Sequence, residues 1–208
     1  ELAEQHTVYA IDRRGHGGSG DAEAYDFERE FEDVAAVVDS IDEPVTLLGH
    51  SFGSLIALEG ALQTDDLHGL VLYEPFFGPE IPPEIEQLVG AIETTLANGE
   101  KEEALVTQQT AAGMPEAALE ELRSSPGWQA LVDAADTIPR EWGEIFEYEF
   151  DADRFEGMTT PTVLFSGEES HPALIAATEI VDEGLPNSRT VVFEGHGHWV
   201  MNTATDRF

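Results

Sequence analysis

Apolar residues occur in this chain at two spacings, and the spacing changes with position. Short continuous runs come first and last: Thr7-Val8-Tyr9-Ala10-Ile11, Val45-Thr46-Leu47-Leu48, Gly69 to Tyr73, Thr162 to Phe165 and Thr190 to Phe193. Runs of this length read as buried strands. Between them, apolar positions recur at helical intervals, as at Phe27, Phe31, Val34, Val38 and Ile41. The pattern predicts helices from Tyr25 to Ile41, from Ser51 to about Gln63, and from Pro172 to about Glu183. Pro44 ends the first of these and admits the next strand.

From Phe76 to about Thr160 the alternation stops. The spacing there predicts only helices: Pro83 to Ala97, Glu102 to Ala112, Pro115 to Arg123, Gln129 to Asp136 and Arg140 to Phe150. Gly99, Gly113, Pro126 and Pro139 punctuate them as helix ends and turns. Alternating strands and helices predict an α/β fold, a mostly parallel sheet with helices on both faces. The expected layout is a core of residues 1–75 and 161–208 with an all-helical insertion at 76–160. The insertion lies between two sheet strands, so it is read as a cap over the strand C-termini, where open α/β sheets bind ligands.

One short stretch carries chemistry. Gly49-His50-Ser51-Phe52-Gly53 follows a strand and opens a helix. G-x-S-x-G in that setting marks Ser51 as a nucleophile on a tight turn, with the Phe52 N–H as an oxyanion donor. A serine hydroxyl needs a base, and the base needs an orienting acid.

Charge narrows the partners. The 208 residues include 43 acidic and 9 basic side chains, a formal charge of −34, and Lys101 is the single lysine. Such a chain repels nucleic acid and anionic membranes, so neither is an expected partner. Its apolar periodicity and 9% aromatic content argue against disorder. A protein adapted to very high salt fits this balance, because screening there quiets repulsion between surface carboxylates. There are no cysteines, which excludes disulfides and thiolate metal sites. No metal-ligand spacing or phosphate-binding loop is present, so no cofactor or metal is expected. With no apolar run near 18 residues, the expectation is a soluble cytoplasmic protein acting on a small-molecule substrate, its oligomeric state open.

These residues resemble the α/β-hydrolase fold family. The matching pieces are Asp12-Arg13-Arg14-Gly15-His16-Gly17-Gly18-Ser19, the Gly49 to Gly53 turn, Leu72-Tyr73-Glu74-Pro75, Pro161 to Gly167, and Gly195-His196-Gly197-His198. The resemblance implies Ser51 as nucleophile and His198 as base, with His196 as the rival. It also implies that strands preceding Thr7 are missing, as is the loop giving the second oxyanion donor. The chain is therefore expected to be a fragment. His16 and His50 are read as shaping turns through backbone hydrogen bonds, and His6, His68 and His171 as surface or structural.

The acid departs from the family pattern. Where the family commonly has G-x-x-D, this chain reads Gly167-Glu168-Glu169-Ser170. Two alternatives stand: Glu74 at the end of the preceding strand, where some family members place the acid, or Glu168 or Glu169 from the neighbouring turn. Aromatics in or beside the insertion, among them Phe76, Phe77, Trp142 and Tyr148, are expected to line an apolar pocket or to pack the cap. The implied function is a serine hydrolase cleaving an ester-like acyl bond; cofactor-free haloperoxidase-type activity, which uses the same triad, stands as an alternative to it. The other readings are a lyase on the same scaffold and a non-catalytic binder of small ligands.

Overall fold

A computed structural model describes residues 2–78 and 82–208; Glu1 and residues 79–81, the latter inside the expected insertion, lie outside it. Helix α1 (Leu2–Gln5) and a glycine-rich loop lead to α2 (Phe27–Asp39). The order continues β1 (Val45–His50), α3 (Phe52–Gly60) and β2 (Leu67–Tyr73). Among the described residues five α-helices then follow without a strand: α4 (Pro83–Ala97), α5 (Lys101–Ala111), α6 (Glu116–Arg123), α7 (Trp128–Asp133) and α8 (Ile138–Glu147). The chain returns through β3 (Thr162–Gly167), α9 (Pro172–Gly184), β4 (Ser188–Phe193) and α10 (Val200–Thr203).

The four strands pair in parallel, in the order β1-β2-β3-β4. Leu48 stands opposite Val71, Leu72 opposite Leu164, and Phe165 opposite Val191, so the strand C-termini meet at one edge. Alternation sorts the side chains. Leu47, Leu70, Leu72 and Leu164 share one buried cluster with Phe31 and Val34 of α2, Leu55 and Leu58 of α3, and Leu174, Ala177 and Val181 of α9. On the opposite face Tyr73 and Phe193 pack with Val200, and Phe165, Met201 and Phe208 close over them. Helix α2 begins where the Asp26 carboxylate accepts from the Glu28 N–H at 3.0 Å, with Glu28 and Glu30 favourably placed near the positive helix end.

One expected strand is not there. Residues 7–11 form no ladder, and Val8 and Tyr9 are 52% and 58% exposed. An apolar run records a tendency to be buried; a strand also needs a partner on its hydrogen-bonding edge. Among the described residues β1 pairs only with β2, and nothing pairs with 7–11.

The helical segment between β2 and β3 has a core of its own. Ile92, Ala104, Leu105, Ala135 and Ile138 are buried together, flanked by Trp128 and Trp142. It is fastened to the sheet layer at separate points. Arg13 binds Glu30 at 3.0 Å and Glu141 of α8 at 2.7 Å, and Arg140 binds Asp21 at 2.8 Å. Where the chain leaves α8, the buried Glu59 of α3 takes both Arg154 nitrogens, at 2.8 and 2.7 Å, and the Tyr148 hydroxyl at 2.7 Å. Desolvation makes such carboxylates costly unless every oxygen is partnered, and at Glu59 both are.

Candidate active site

Two residues stand out on backbone geometry alone. Ser51 (φ 55°) and Glu74 (φ 47°) are the only non-glycine residues with positive φ among those described. They sit directly beyond the C-termini of β1 and β2. Conformations of this kind cost free energy and tend to collect at functional sites.

The Ser51 turn is held from several sides. Ser51 N–H donates to the Tyr73 carbonyl at 2.8 Å. The buried Ser54 hydroxyl is 2.8 Å from the Gly49 carbonyl and 3.0 Å from that of Tyr73. A Cβ on Gly49 would lie 2.3 Å from the Gly53 carbonyl oxygen, so only glycine fits the strand end. At Gly53 a Cβ would meet nothing within 4 Å. The two glycines of the motif therefore answer to different demands, and close packing is felt only at the first. Phe52 opens α3, where the first N–H groups have no intrahelical acceptor. Its ring stacks on Phe27 at 5.2 Å beneath the Arg13 guanidinium at 5.1 Å.

Glu74 is fully buried. Its Oε1 accepts from the Gly167 N–H at 2.6 Å, and its Oε2 lies 2.5 Å from His198 Nδ1. A carboxylate can only accept here, so His198 Nδ1 carries the proton and Nε2 keeps its lone pair in the neutral ring. His198 is also buried, and its ring lies 4.3 Å from that of His50, the residue before Ser51. No hydrogen bond joins Ser51 Oγ to His198 among the described residues; in unliganded sites such bonds often tighten only with substrate.

The loop carrying His198 is anchored by three side chains. The Tyr73 hydroxyl donates to the Gly197 carbonyl and accepts from the Val200 N–H at 3.3 Å. His50 Nε2 is 2.9 Å from the His198 carbonyl. The Trp199 indole donates at 2.8 Å to the carbonyl of Ala112, just past α5. Burial, with His198 close by, pushes His50 down to about 3.

The remaining sequence candidates lie elsewhere. His196 Nδ1 contacts the Thr203 hydroxyl at 3.1 Å. Glu168 is exposed and accepts from the Gly195 N–H at 2.8 Å; Glu169 is exposed as well. Neither carboxylate makes a hydrogen bond to His198. Ser170 is buried, with no partner for its hydroxyl. His16 is 3.1 Å from the Arg14 carbonyl, and the His171 side chain caps α9 by accepting from Ala173 N–H at 3.2 Å. Tyr73 and Trp199 were not singled out as site residues in the sequence. Tyr73 adjoins Glu74 and Trp199 adjoins His198, which is the one signal that points to them.

Aromatics at the base of the insertion mostly serve packing. Phe77 and Phe155 are buried in the main cluster, Phe77 meets Tyr148 edge-on at 5.3 Å, and Phe76 meets Trp142 at 5.7 Å. Two open hollows, of ≈ 660 and ≈ 800 Å³, lie elsewhere: one among α5, α6 and α7, the other between residues 8–14 and α2.

The model of a family described as the alpha/beta hydrolase family matches residues 1–208. An alpha/beta hydrolase from Sphaerobacter thermophilus superposes with a TM-score of 0.71 at 26% identity, over 94% of this chain and 77% of that one. An esterase from Rhodococcus sp. gives 0.73 at 25% identity, over 100% and 80%. An esterase from Exiguobacterium antarcticum gives 0.73 at 21% identity, over 94% and 76%, a likeness of fold. No curated protein sequence matches this chain.

Proposed function

The chain belongs to the alpha/beta hydrolase family, and on that premise we propose that it is a serine hydrolase cleaving an ester-like acyl bond. The observation that carries the reading is the buried Glu74–His198 pair standing beside a strained serine turn. Ser51 attacks the acyl carbon while His198 Nε2 takes its proton. Glu74 keeps the proton of His198 on Nδ1 and stabilises the imidazolium that forms. The Phe52 N–H takes part of the oxyanion charge. His198 then protonates the leaving alkoxide, and water attacks the acyl-enzyme with His198 as base. In this reading the helical insertion acts as a cap over the strand C-termini, and the substrate is small and largely apolar.

Covalent labelling by a fluorophosphonate, read by intact mass in concentrated KCl, tests this. Adduct on the parent chain and none on Ser51→Ala is the expected result. An unlabelled parent sinks the serine-hydrolase reading.

We further propose that the −34 charge is an adaptation to concentrated salt. Below roughly 1 M salt, screening weakens and the carboxylates repel. Loss of the circular dichroism signal on dilution is expected; an unchanged spectrum in dilute buffer rejects the idea.

A further inference from the structure

The triad mechanism leaves one close contact unused. His50 precedes the nucleophile, and its Nε2 lies 2.9 Å from the main-chain carbonyl of His198. A carbonyl only accepts, so this nitrogen carries a proton and donates. We propose that His50 is a positioning residue whose Nε2–H ties the His198 backbone to the end of β1, fixing the reach from base to nucleophile. The inference rests on the serine-hydrolase reading of Ser51 and His198.

The surroundings suit that task. His50 meets Tyr73 of β2 at 5.1 Å, and His198 and Trp199 of the loop after β4 at 4.3 and 5.1 Å. Among the described residues the one charged group hydrogen-bonded to this cluster is Glu74, and its Oε2 is taken up by His198. A cation at position 50 would face the imidazolium of His198 and oppose its formation. Burial and the nearby His198 push His50 down to about 3, so it is neutral at neutral pH. Its N–H then serves as a tether with no competing charge. The link runs between the residue before the nucleophile and the base itself, so slack in it is felt directly at the reacting atoms.

Packing alone predicts something different from tethering. His50→Phe keeps a ring and removes the donor. His50→Gln removes the ring and keeps an N–H at similar reach. Second-order fluorophosphonate labelling rates for both, from pH 5 to 9 in concentrated KCl, separate the two roles once circular dichroism shows native folds. The expected result is labelling slowed about 10- to 10²-fold in His50→Phe, with a displaced pH midpoint, and largely restored in His50→Gln. Parent-like labelling of His50→Phe overturns the proposal. Equal slowing of both variants overturns it too, in favour of ring packing. If the parent is not labelled, the serine-hydrolase reading fails, and ¹⁵N-histidine NMR still decides the tether. The His198 Nδ1–H resonance is expected to shift in His50→Phe and stay near parental in His50→Gln. An unmoved resonance in His50→Phe overturns the proposal, as does an equal shift in both variants.

Discussion

The turns after β2 and β3 lie side by side at the C-terminal edge of the sheet, and each brings carboxylate chemistry to that edge in its own way. After β2 the chain bends at once through Glu74 at φ 47°, which sends the side chain inward, fully buried, to His198. β3 ends at Gly167, and the turn beyond it leaves Glu168 and Glu169 exposed to solvent. The end of β3 serves the Glu74 turn, because the Gly167 N–H donates to Glu74 Oε1. The position that commonly carries an aspartate holds Ser170, buried and unpartnered. A carboxylate orients a histidine when the backbone aims it there and shields it from water. Abundance of acid in a loop supplies neither condition.

Neutralising the carboxylates of each turn separately should give the largest difference between the two. Glu74→Gln should lower the labelling or hydrolysis rate about 10³- to 10⁴-fold, since the His198 tautomer is then no longer enforced. Glu168→Gln and Glu169→Gln should stay within about 2-fold, the range of ordinary surface changes. The reverse ranking would move the acid to the β3 turn.

A second test uses pH. His50, on the Glu74–His198 side, ordinarily titrates at 6.5 and is lowered to about 3 in the fold. Between those values the unfolded chain binds more protons at this site than the folded one. Stability is therefore fully present above pH 6.5 and is lost as pH falls towards 3, by up to about 1.4 kcal/mol per unit. Chemical denaturation at pH 7 and pH 5 should show that loss, and a smaller one in His50→Gln. Equal pH slopes in parent and variant would contradict it.

The mildest change concerns the β3 turn alone. The Ser170 hydroxyl is already without a partner, so Ser170→Ala should be neutral or stabilising by about 1 kcal/mol. That is a rise of about 2–4 °C in Tm for a chain of this size. A marked fall would mean that the hydroxyl has a role in the folded protein.

Much of the fold was legible because it rests on local spacing. The helix of α4 falls where its apolar interval puts it, Pro83–Ala97. The tight turn at Ser51 between β1 and α3 was legible too, since the strand before it and the helix after it are set by local spacing. The apolar 7–11 segment forms no strand, because a strand requires a partner and pairing is not local. His50 illustrates the middle case. Its sequence setting pointed to a backbone hydrogen bond, but the acceptor is 148 residues away and carries the proposed base.

Residue spacing alone accounts for the four strands that pair, the helices between them and the turn at Ser51, because each follows from neighbours within a few residues; it does not account for the unpaired 7–11 segment. Which glutamate meets His198, and what holds its loop, emerged from contacts between distant parts of the chain. Those contacts join Glu74 to a residue 124 positions away and Trp199 to one 87 positions away. Such choices depend on where parallel strands end in space and on which backbone dihedrals those ends adopt. Nothing in residue spacing encodes either one.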